Sequence, residues 1–296
     1  MNALRPAVIA VASGKGGTGK TTMAVHLALA SARTRATLLV DLDVEAPDVL
    51  GYFPMVEPLE TPSSVSVAVP RLVGAFCTGC GLCANSCRFG AIIAIGGVVT
   101  IDEKVCKGCG RCVAVCPAGA LVEGRVEVGA MVESRVGALS LLEGRMAVGD
   151  IRSTAVIDAA KRRAAELGGA AHIRDCPPGI SCPATHAMEG ADFVILVAEP
   201  TRFSAHDLFG AMRYVRDRGL AAGILINKYG FGSVDIEELA DREGLPVVGR
   251  VAFERDRAGA GAAGRLWESN GDFMRQMEDL VTTLIDMGNS SRGGFR

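Results

Sequence analysis

The chain has 296 residues, of which 49% are hydrophobic, with a formal net charge of -2 and a mean hydropathy of +0.29. That length fits one large α/β domain with a small insert, or two modest domains. The near-neutral charge removes the electrostatic case for nucleic acid or an anionic membrane surface. The longest uncharged stretches, residues 72–87 and 89–101, are broken by Gly, Cys, Asn or Thr and contain no run of about 18 apolar residues, so no stable membrane insertion is expected.

In chain order, the apolar run Ala7–Ala12 leads straight into a Gly-rich loop and reads as a first strand, not a signal peptide. A helix over Thr22–Ala32 and a strand over Thr37–Val40 follow. Residues 54–71 hold four prolines and little periodicity, which marks a boundary. Residues 76–122 carry most of the cysteines. Over 123–150, short Val and Met runs alternate with Gly and predict β-hairpins that return the chain to its main domain. Helices are then predicted over 153–167, 184–190, 204–218, 235–243 and near 272–287. Strands are predicted near 170–174 and over 193–198, 222–226 and 247–251. In the last helix Phe273, Met277, Leu280, Val281 and Leu284 form one apolar stripe suited to core packing. The tail 288–296 is expected to lack regular structure. The alternation predicts an α/β fold whose parallel sheet is covered on both faces. The expected division is a main domain in two parts, 1–70 and 123–296, around an inserted module, 71–122.

Gly14-Lys15-Gly16-Gly17-Thr18-Gly19-Lys20-Thr21-Thr22 satisfies G-x-x-x-x-G-K-[ST] between a strand and a helix, where a phosphate-binding loop must lie. Its glycines let backbone N–H groups turn inward, and the helix N-terminus adds partial positive charge. Residues Gly14 and Gly16 through Thr22 are thus the expected phosphate cradle, with Lys20 reaching the β- and γ-phosphates and Thr21 holding Mg²⁺. Ile226-Asn227-Lys228-Tyr229-Gly230 ends a strand. A guanine site of the N-K-x-D kind needs an Asp where Gly230 stands, which favours adenine and hence ATP. Asn227 is then either a base contact or simply a polar strand end. Gly259, Gly261 and Gly264 spell a lone G-x-G-x-x-G with no second strand or ribose-binding acid after it. The segment reads as a flexible run of small residues, and no dinucleotide is expected.

Eight of the ten cysteines fall in two matching groups, Cys77, Cys80, Cys83, Cys87 and Cys106, Cys109, Cys112, Cys116, each spaced C-x2-C-x2-C-x3-C. Such ligand-type spacing in a long chain without an export signal fits metal ligation in a reducing cytoplasm, not a disulfide scaffold. Zinc sites use paired C-x2-C, and a third cysteine at the same interval is superfluous for them. Glycines at 79, 81, 108 and 110 would let backbone N–H groups point at cluster sulfurs. The spacing resembles that of two-cluster ferredoxins, in which the fourth cysteine of each group ligates the other cluster. The resemblance implies one [4Fe-4S] cluster on Cys77, Cys80, Cys83 and Cys116 and a second on Cys106, Cys109, Cys112 and Cys87. Cys116 is followed by Pro117 but Cys87 by Arg88, which places a positive charge near the second cluster.

The extra Lys15 makes the phosphate loop resemble the deviant Walker A loop of the MinD/ParA/Mrp/nitrogenase-iron-protein superfamily. Other segments follow that superfamily's order: Asp41-Leu42-Asp43-Val44-Glu45-Ala46-Pro47, Gly144-Arg145-Met146-Ala147-Val148-Gly149, Asp175-Cys176-Pro177-Pro178-Gly179, and Glu199-Pro200-Thr201 with His206-Asp207-Leu208. Taken with the eight cysteines, the chain resembles a MinD/Mrp-type P-loop ATPase carrying an inserted ferredoxin domain. The resemblance implies an ATP-sandwiched homodimer into which Lys15 reaches from the partner, Asp41 near the Mg²⁺ shell, Asp43 orienting the attacking water, and Asp175 bonding a magnesium-bound water. His172 and Arg174 break the apolar pattern expected of the strand before Asp175. Cys176 and Cys182 are either packed thiols or, counted over a two-fold dimer, a bridging metal site.

The expected function is ATP binding and hydrolysis coupled, through dimerisation, to electron transfer or to iron–sulfur or metal-cofactor assembly on a client protein in the cytoplasm. One alternative is a MinD/ParA-like positioning ATPase whose clusters sense redox state. Another is an electron carrier in which nucleotide only stabilises the fold.

Overall fold

A computed structural model describes residues 5–263, 265 and 271–292. In chain order the elements are β1 (Ala7–Ala12), α1 (Lys20–Ala32), β2 (Thr37–Asp41), β3 (Glu57–Pro58), β4 (Ser63–Leu72), α2 (Leu82–Ser86), β5 (Ile92–Ile95), β6 (Val98–Ile101), α3 (Arg111–Ala114), β7 (Leu121–Val136) and β8 (Leu139–Met146). They continue with α4 (Ser153–Leu167), β9 (Ala171–Asp175), α5 (Cys182–Met188), β10 (Phe193–Ala198), α6 (Arg202–Asp217), β11 (Ala222–Tyr229), α7 (Ile236–Glu243), β12 (Val247–Ala252), α8 (Arg255–Ala262) and α9 (Gly271–Arg292). The chain divides into two compact units. One comprises Met1–Pro62, Met131–Arg145 and Ile157–Arg296, the other Ser63–Ala130 with Met146–Val156.

The first unit is built on a sheet of order β12-β11-β10-β1-β9-β2-β8-β7-β3. Pairing is parallel from β12 through β8, and β3 runs antiparallel to β7. The central strands β1 and β10 are wholly buried runs of apolar residues, the composition a parallel strand covered on both faces requires. Asp175 pairs in register with both Val11 and Asp41, so the carboxyl ends of β1, β2 and β9 finish level. The crevice at such strand ends is where open α/β sheets bind ligands.

His172 and Arg174 do not shorten β9, which is buried along its whole length. Both polar side chains reach backbone carbonyls, although the buried Arg174 Nε has no hydrogen-bond partner. His172 Nε2 lies 2.6 Å from Gly168 O, and Arg174 Nη1 donates to Ala187 O at 3.4 Å and Glu189 O at 3.0 Å. Lys161 Nζ likewise donates to His186 O at 2.6 Å. The two cations thus cap the carbonyl end of α5, which offsets the cost of burying them.

The hairpins expected over 123–150 are one long hairpin, β7 and β8 joined through residues 137–138, and β8 returns the chain to the main sheet parallel to β2. Three expectations need correction. Residues 54–71, read as a boundary, include most of β4, which pairs with β7, and one compact unit begins at Ser63. The small-residue segment with Gly259 and Gly261 is helix α8, while Gly264 lies outside the described residues. Helix α9 runs through Arg292, so the tail is helical that far, and 293–296 lie outside the described residues. The α9 stripe enters the core of the first unit, where Phe273, Met277, Leu280, Val281 and Leu284 are all buried. Each such side chain stabilises the fold by about 1.5–3 kcal/mol.

Within the second unit the two cysteine groups are built alike. Each group opens on glycines of left-handed backbone, Gly79 and Gly81 in one (φ 70° and 75°), Gly108 and Gly110 in the other (φ 71° and 70°). Only Gly adopts this conformation at little cost. Gly81 and Gly110 start the short helices α2 and α3. Between them lies the antiparallel hairpin β5–β6, and small apolar cores gather Cys83, Ile92, Cys112 and Leu121 on one side and Val69, Ala91 and Cys106 on the other.

Candidate nucleotide site and cysteine centres

The loop from Ser13 to Gly19 leaves the carboxyl end of β1 and turns into α1 through Gly19, whose φ of 88° is left-handed. Two of its glycines are required by close approach. A side chain on Gly14 would strike the Asp207 carbonyl carbon at 2.3 Å, and one on Gly19 would strike Asn227 Nδ2 at the same distance. The loop is tied to the segment after β9, since Cys176 N donates to Val11 O at 3.0 Å and Gly179 N to Ser13 O at 2.8 Å. The expected partners Lys20, Thr21, Asp43 and Asp175 therefore meet at one place.

Lys20 Nζ lies 2.5 Å from Asp175 Oδ1 and 3.3 Å from Thr21 Oγ1. Asp175 is wholly buried, which pushes its carboxyl pKa up, and Lys20 beside it acts against that rise. Burial works against the Lys20 ammonium too, but Asp175 outweighs it and leaves the lysine pKa raised. Asp175 Oδ2 and Thr18 Oγ1 are buried and have no hydrogen-bond partner. Unsatisfied buried oxygens of this kind are costly unless a ligand completes them. An unpaired carboxylate oxygen and an unpaired hydroxyl beside Lys20 and Thr21 are what a magnesium nucleotide would satisfy. Asp43 lies on the same side, half-buried, and desolvation raises its pKa to about 6 despite the opposing charge of Lys20.

Asp41 is otherwise engaged. Its Oδ1 accepts from Asp43 N at 3.0 Å, and its Oδ2 from Asp48 N and Val49 N, both at 3.1 Å. Buried at the end of β2, this carboxylate fixes the loop that carries Asp43. Asn227 donates from Nδ2 to Thr18 O at 2.7 Å and so also ties β11 to the phosphate loop. Cys176 and Cys182 part company. Cys176 is fully buried, its thiol pushed up to about 12 by desolvation, whereas Cys182 is exposed at the start of α5. In the single chain the two thiols therefore sit in different surroundings, and a site bridging two chains through both would need Cys176 to become accessible.

Two residues here, Glu199 and Lys228, were not picked out as site residues from the sequence. Lys15 Nζ pairs with Glu199 Oε1 at 2.7 Å, and Lys228 Nζ with Glu199 Oε2 at 2.7 Å. Lys228 also donates to Gly17 O at 3.3 Å and has a φ of 54°, the one positive φ outside glycine among the described residues. That conformation costs about 1–2 kcal/mol. The available signal was position, because Glu199 follows directly on the apolar strand β10, at its carboxyl end.

In the second unit, Cys77, Cys80, Cys83 and Cys116 line one pocket, closed by uncharged side chains such as Leu72, Val99 and Leu121. Burial raises the Cys83 pKa, with Cys116 and Cys77 adding to the rise. Burial acts on Cys116 as well, but backbone N–H groups of residues 118–121 outweigh it and leave that thiol below its ordinary value. Cys112 is raised by burial, with Cys106 and Cys109 as its cysteine neighbours, and Cys87 packs against both small cores, the one with Cys83 and Cys112 and the one with Cys106. Gly108 N donates to Cys106 Sγ at 3.4 Å. Among the described residues no three His, Cys, Asp or Glu side chains converge as they would around a single metal ion.

Residues 9–266 match the CobQ/CobB/MinD/ParA nucleotide binding domain family. The chain is 27% identical over 229 residues to the uncharacterized protein MJ0579 of Methanocaldococcus jannaschii, covering 77% of this chain and 82% of that one. Its fold is similar to that of the cell division ATPase MinD of Pyrococcus furiosus, with TM-score 0.59, 18% identity, and 94% and 99% of the two chains covered. MinD of Pyrococcus horikoshii in complex with Mg-ADP is similar at TM-score 0.52 and 17% identity, covering 97% and 96%. With most of its length matched, the chain belongs to the CobQ/CobB/MinD/ParA nucleotide-binding family.

Proposed function

We propose that this protein is an ATP-hydrolysing iron–sulfur protein of the cytoplasm, in which ATP-dependent homodimerisation is coupled to electron transfer or to metal-cofactor assembly on a client protein. The observation that carries the reading is the sorting of the cysteines. Cys116 stands with Cys77, Cys80 and Cys83, one half of the exchange that two four-thiolate clusters require, and Cys87 packs against the cores of both groups, within reach of the other half. A cube presents its four irons to four separate thiolates, so its ligands need not converge as they do on one ion. Clusters bound there would supply one-electron transfer. Cys77, Cys80, Cys83 and Cys116 would hold one, and Cys87, Cys106, Cys109 and Cys112 the other.

At the nucleotide site the residues divide the work. The loop backbone from Gly14 to Thr22 and Lys20 bind the phosphates; Thr21 and Asp175 hold magnesium, directly and through its water; and Asp41 fixes the loop that presents Asp43. Asp43 orients the attacking water and takes part in its deprotonation. Because its pKa is about 6, hydrolysis should fall as pH drops through 6. A pH–rate profile checks this, and a rate flat from pH 5 to 8 would count against Asp43 in that role. Lys15, held by Glu199 in the single chain, is the group free to reach the partner's nucleotide once Lys228 alone neutralises Glu199. Lys15→Ala should leave the monomer folded and abolish ATP-dependent dimerisation in anaerobic sedimentation. A dimer that persists would sink the sandwich.

A second reading, a positioning ATPase with redox-sensing clusters, is favoured by the likeness of fold to a cell division ATPase. ATPase activity stimulated by lipid or DNA would support it; activity that responds to cluster oxidation state supports the first. No helix among the described residues is long and apolar enough to cross a membrane.

A further inference from the structure

Beside the second cysteine group the second unit buries a charge that nothing in the cysteine chemistry itself requires. Arg152 is 4% exposed and clamps Asp150 with two hydrogen bonds, one of them Nε to Oδ1 at 2.8 Å. Its remaining edge points the other way: Nη1 donates to Glu103 O at 3.3 Å and to Cys106 O at 3.5 Å. Lys107 Nζ reaches Ile151 O at 3.0 Å from the same cysteine segment. The pocket of Cys77, Cys80, Cys83 and Cys116 has no charged residue in its lining. The two centres, alike in spacing, thus differ in electrostatics.

We infer that Arg152 is a potential-setting residue that raises the reduction potential of the centre held by Cys87, Cys106, Cys109 and Cys112 above that of its twin, so that an electron entering the module settles there. The inference rests on the iron–sulfur reading proposed above. Reduction adds one electron to the centre, and a guanidinium alongside stabilises the added negative charge. Burial keeps solvent ions from screening it. Asp150 offsets part of the field, but Nη1, the edge turned from that carboxylate, is the one that faces Cys106. A neutral donor would satisfy the two carbonyls without the desolvation cost of a buried ion pair, so holding the segment in place does not by itself account for the charge.

The test is a redox titration of the full chain, loaded anaerobically with iron and sulfide, with dithionite as the one-electron-per-centre donor and electron paramagnetic resonance as readout. Two midpoints are expected. In Arg152→Gln the higher should fall, so that the reduced-to-oxidised ratio of that centre drops about tenfold at a fixed potential, about 59 mV for one electron, while the lower midpoint stays. Asp150→Asn should move the same midpoint the opposite way, and Arg152→Lys should recover part of the loss. Midpoints that move together, or that move in neither variant with iron retained, would overturn the assignment. If Arg152→Gln loses its iron, Asp150→Asn decides alone, and an unmoved or lowered midpoint there overturns it. A wild-type chain that takes up no cluster would instead overturn the iron–sulfur reading beneath it.

Discussion

Lys20→Ala is expected to abolish nucleotide binding and, separately, to destabilise the nucleotide-free fold by about 3–5 kcal/mol at neutral pH, the usual cost of stripping one partner from a buried ion pair. Lys20 is 7% exposed and Asp175 wholly buried, with 2.5 Å between them, so little solvent screening reduces that figure. The pH dependence follows from the direction of the Asp175 shift. Burial raises its pKa above the unfolded value and Lys20 opposes the rise. Removing Lys20 raises it further, and a carboxyl whose folded pKa is raised loses stability as pH climbs towards that pKa. The deficit of the variant should therefore be smallest in acid and should grow towards neutrality. Urea denaturation at pH 5 and pH 7 reads it. Lys20→Met with Asp175→Asn removes both charges at similar volume and should be more stable than the single variant, because no uncompensated charge is left inside. A single-variant loss below about 1 kcal/mol at pH 7 would show that Asp175 is neutralised at no cost and that the pair does not hold the loop.

The second large effect concerns iron. A chain with both clusters should bind about eight irons, and Cys87→Ser or Cys116→Ser should each leave about four, with the surviving centre differing between the two. Because Cys116 lines the pocket of Cys77, Cys80 and Cys83, Cys116→Ser and Cys80→Ser should remove the same spectroscopic signal. Cys87→Ser and Cys109→Ser should remove the other. If the signal lost in Cys116→Ser matched that lost in Cys109→Ser, each group would be closing its own cluster. Zinc in place of iron after anaerobic preparation would remove both clusters from the account.

What could be read in advance depended on how far apart the interacting residues lie. Gly14 to Thr22 lie next to one another and their chemistry is that of their own backbone, so motif and geometry agree. The parallel sheet was legible for a similar reason, because the buried runs Ala7–Ala12 and Phe193–Ala198 are too uniformly apolar for a half-exposed strand. The weak points were of another kind. Residues 63–72 alternate Val65, Val67 and Val69 with small residues, a strand pattern masked by Pro62 before it and Pro70 within it, and they form β4 by pairing with β7. Arg174 looked like a break in a strand until the carbonyls at the end of α5 supplied its partners. Asn227, polar at the end of an apolar strand, read as a base contact, and its 2.7 Å bond to Thr18 O, a tie to the phosphate loop, could not be seen in the strand itself.

By itself the sequence determined the α/β class, the phosphate loop and the twofold cysteine spacing, because each is written in glycines, apolar runs or ligands a few residues apart. Tertiary structure alone decided that Lys15 and Lys228 share Glu199, that Asp41 fastens its own loop, that Cys176 is sealed from solvent, and that Arg152 lies against the Cys106 segment. These are matters of side-chain direction and of which strand or loop lies beside which. Both are set by packing and strand register between distant parts of the chain, for which no local pattern of residues carries a signal.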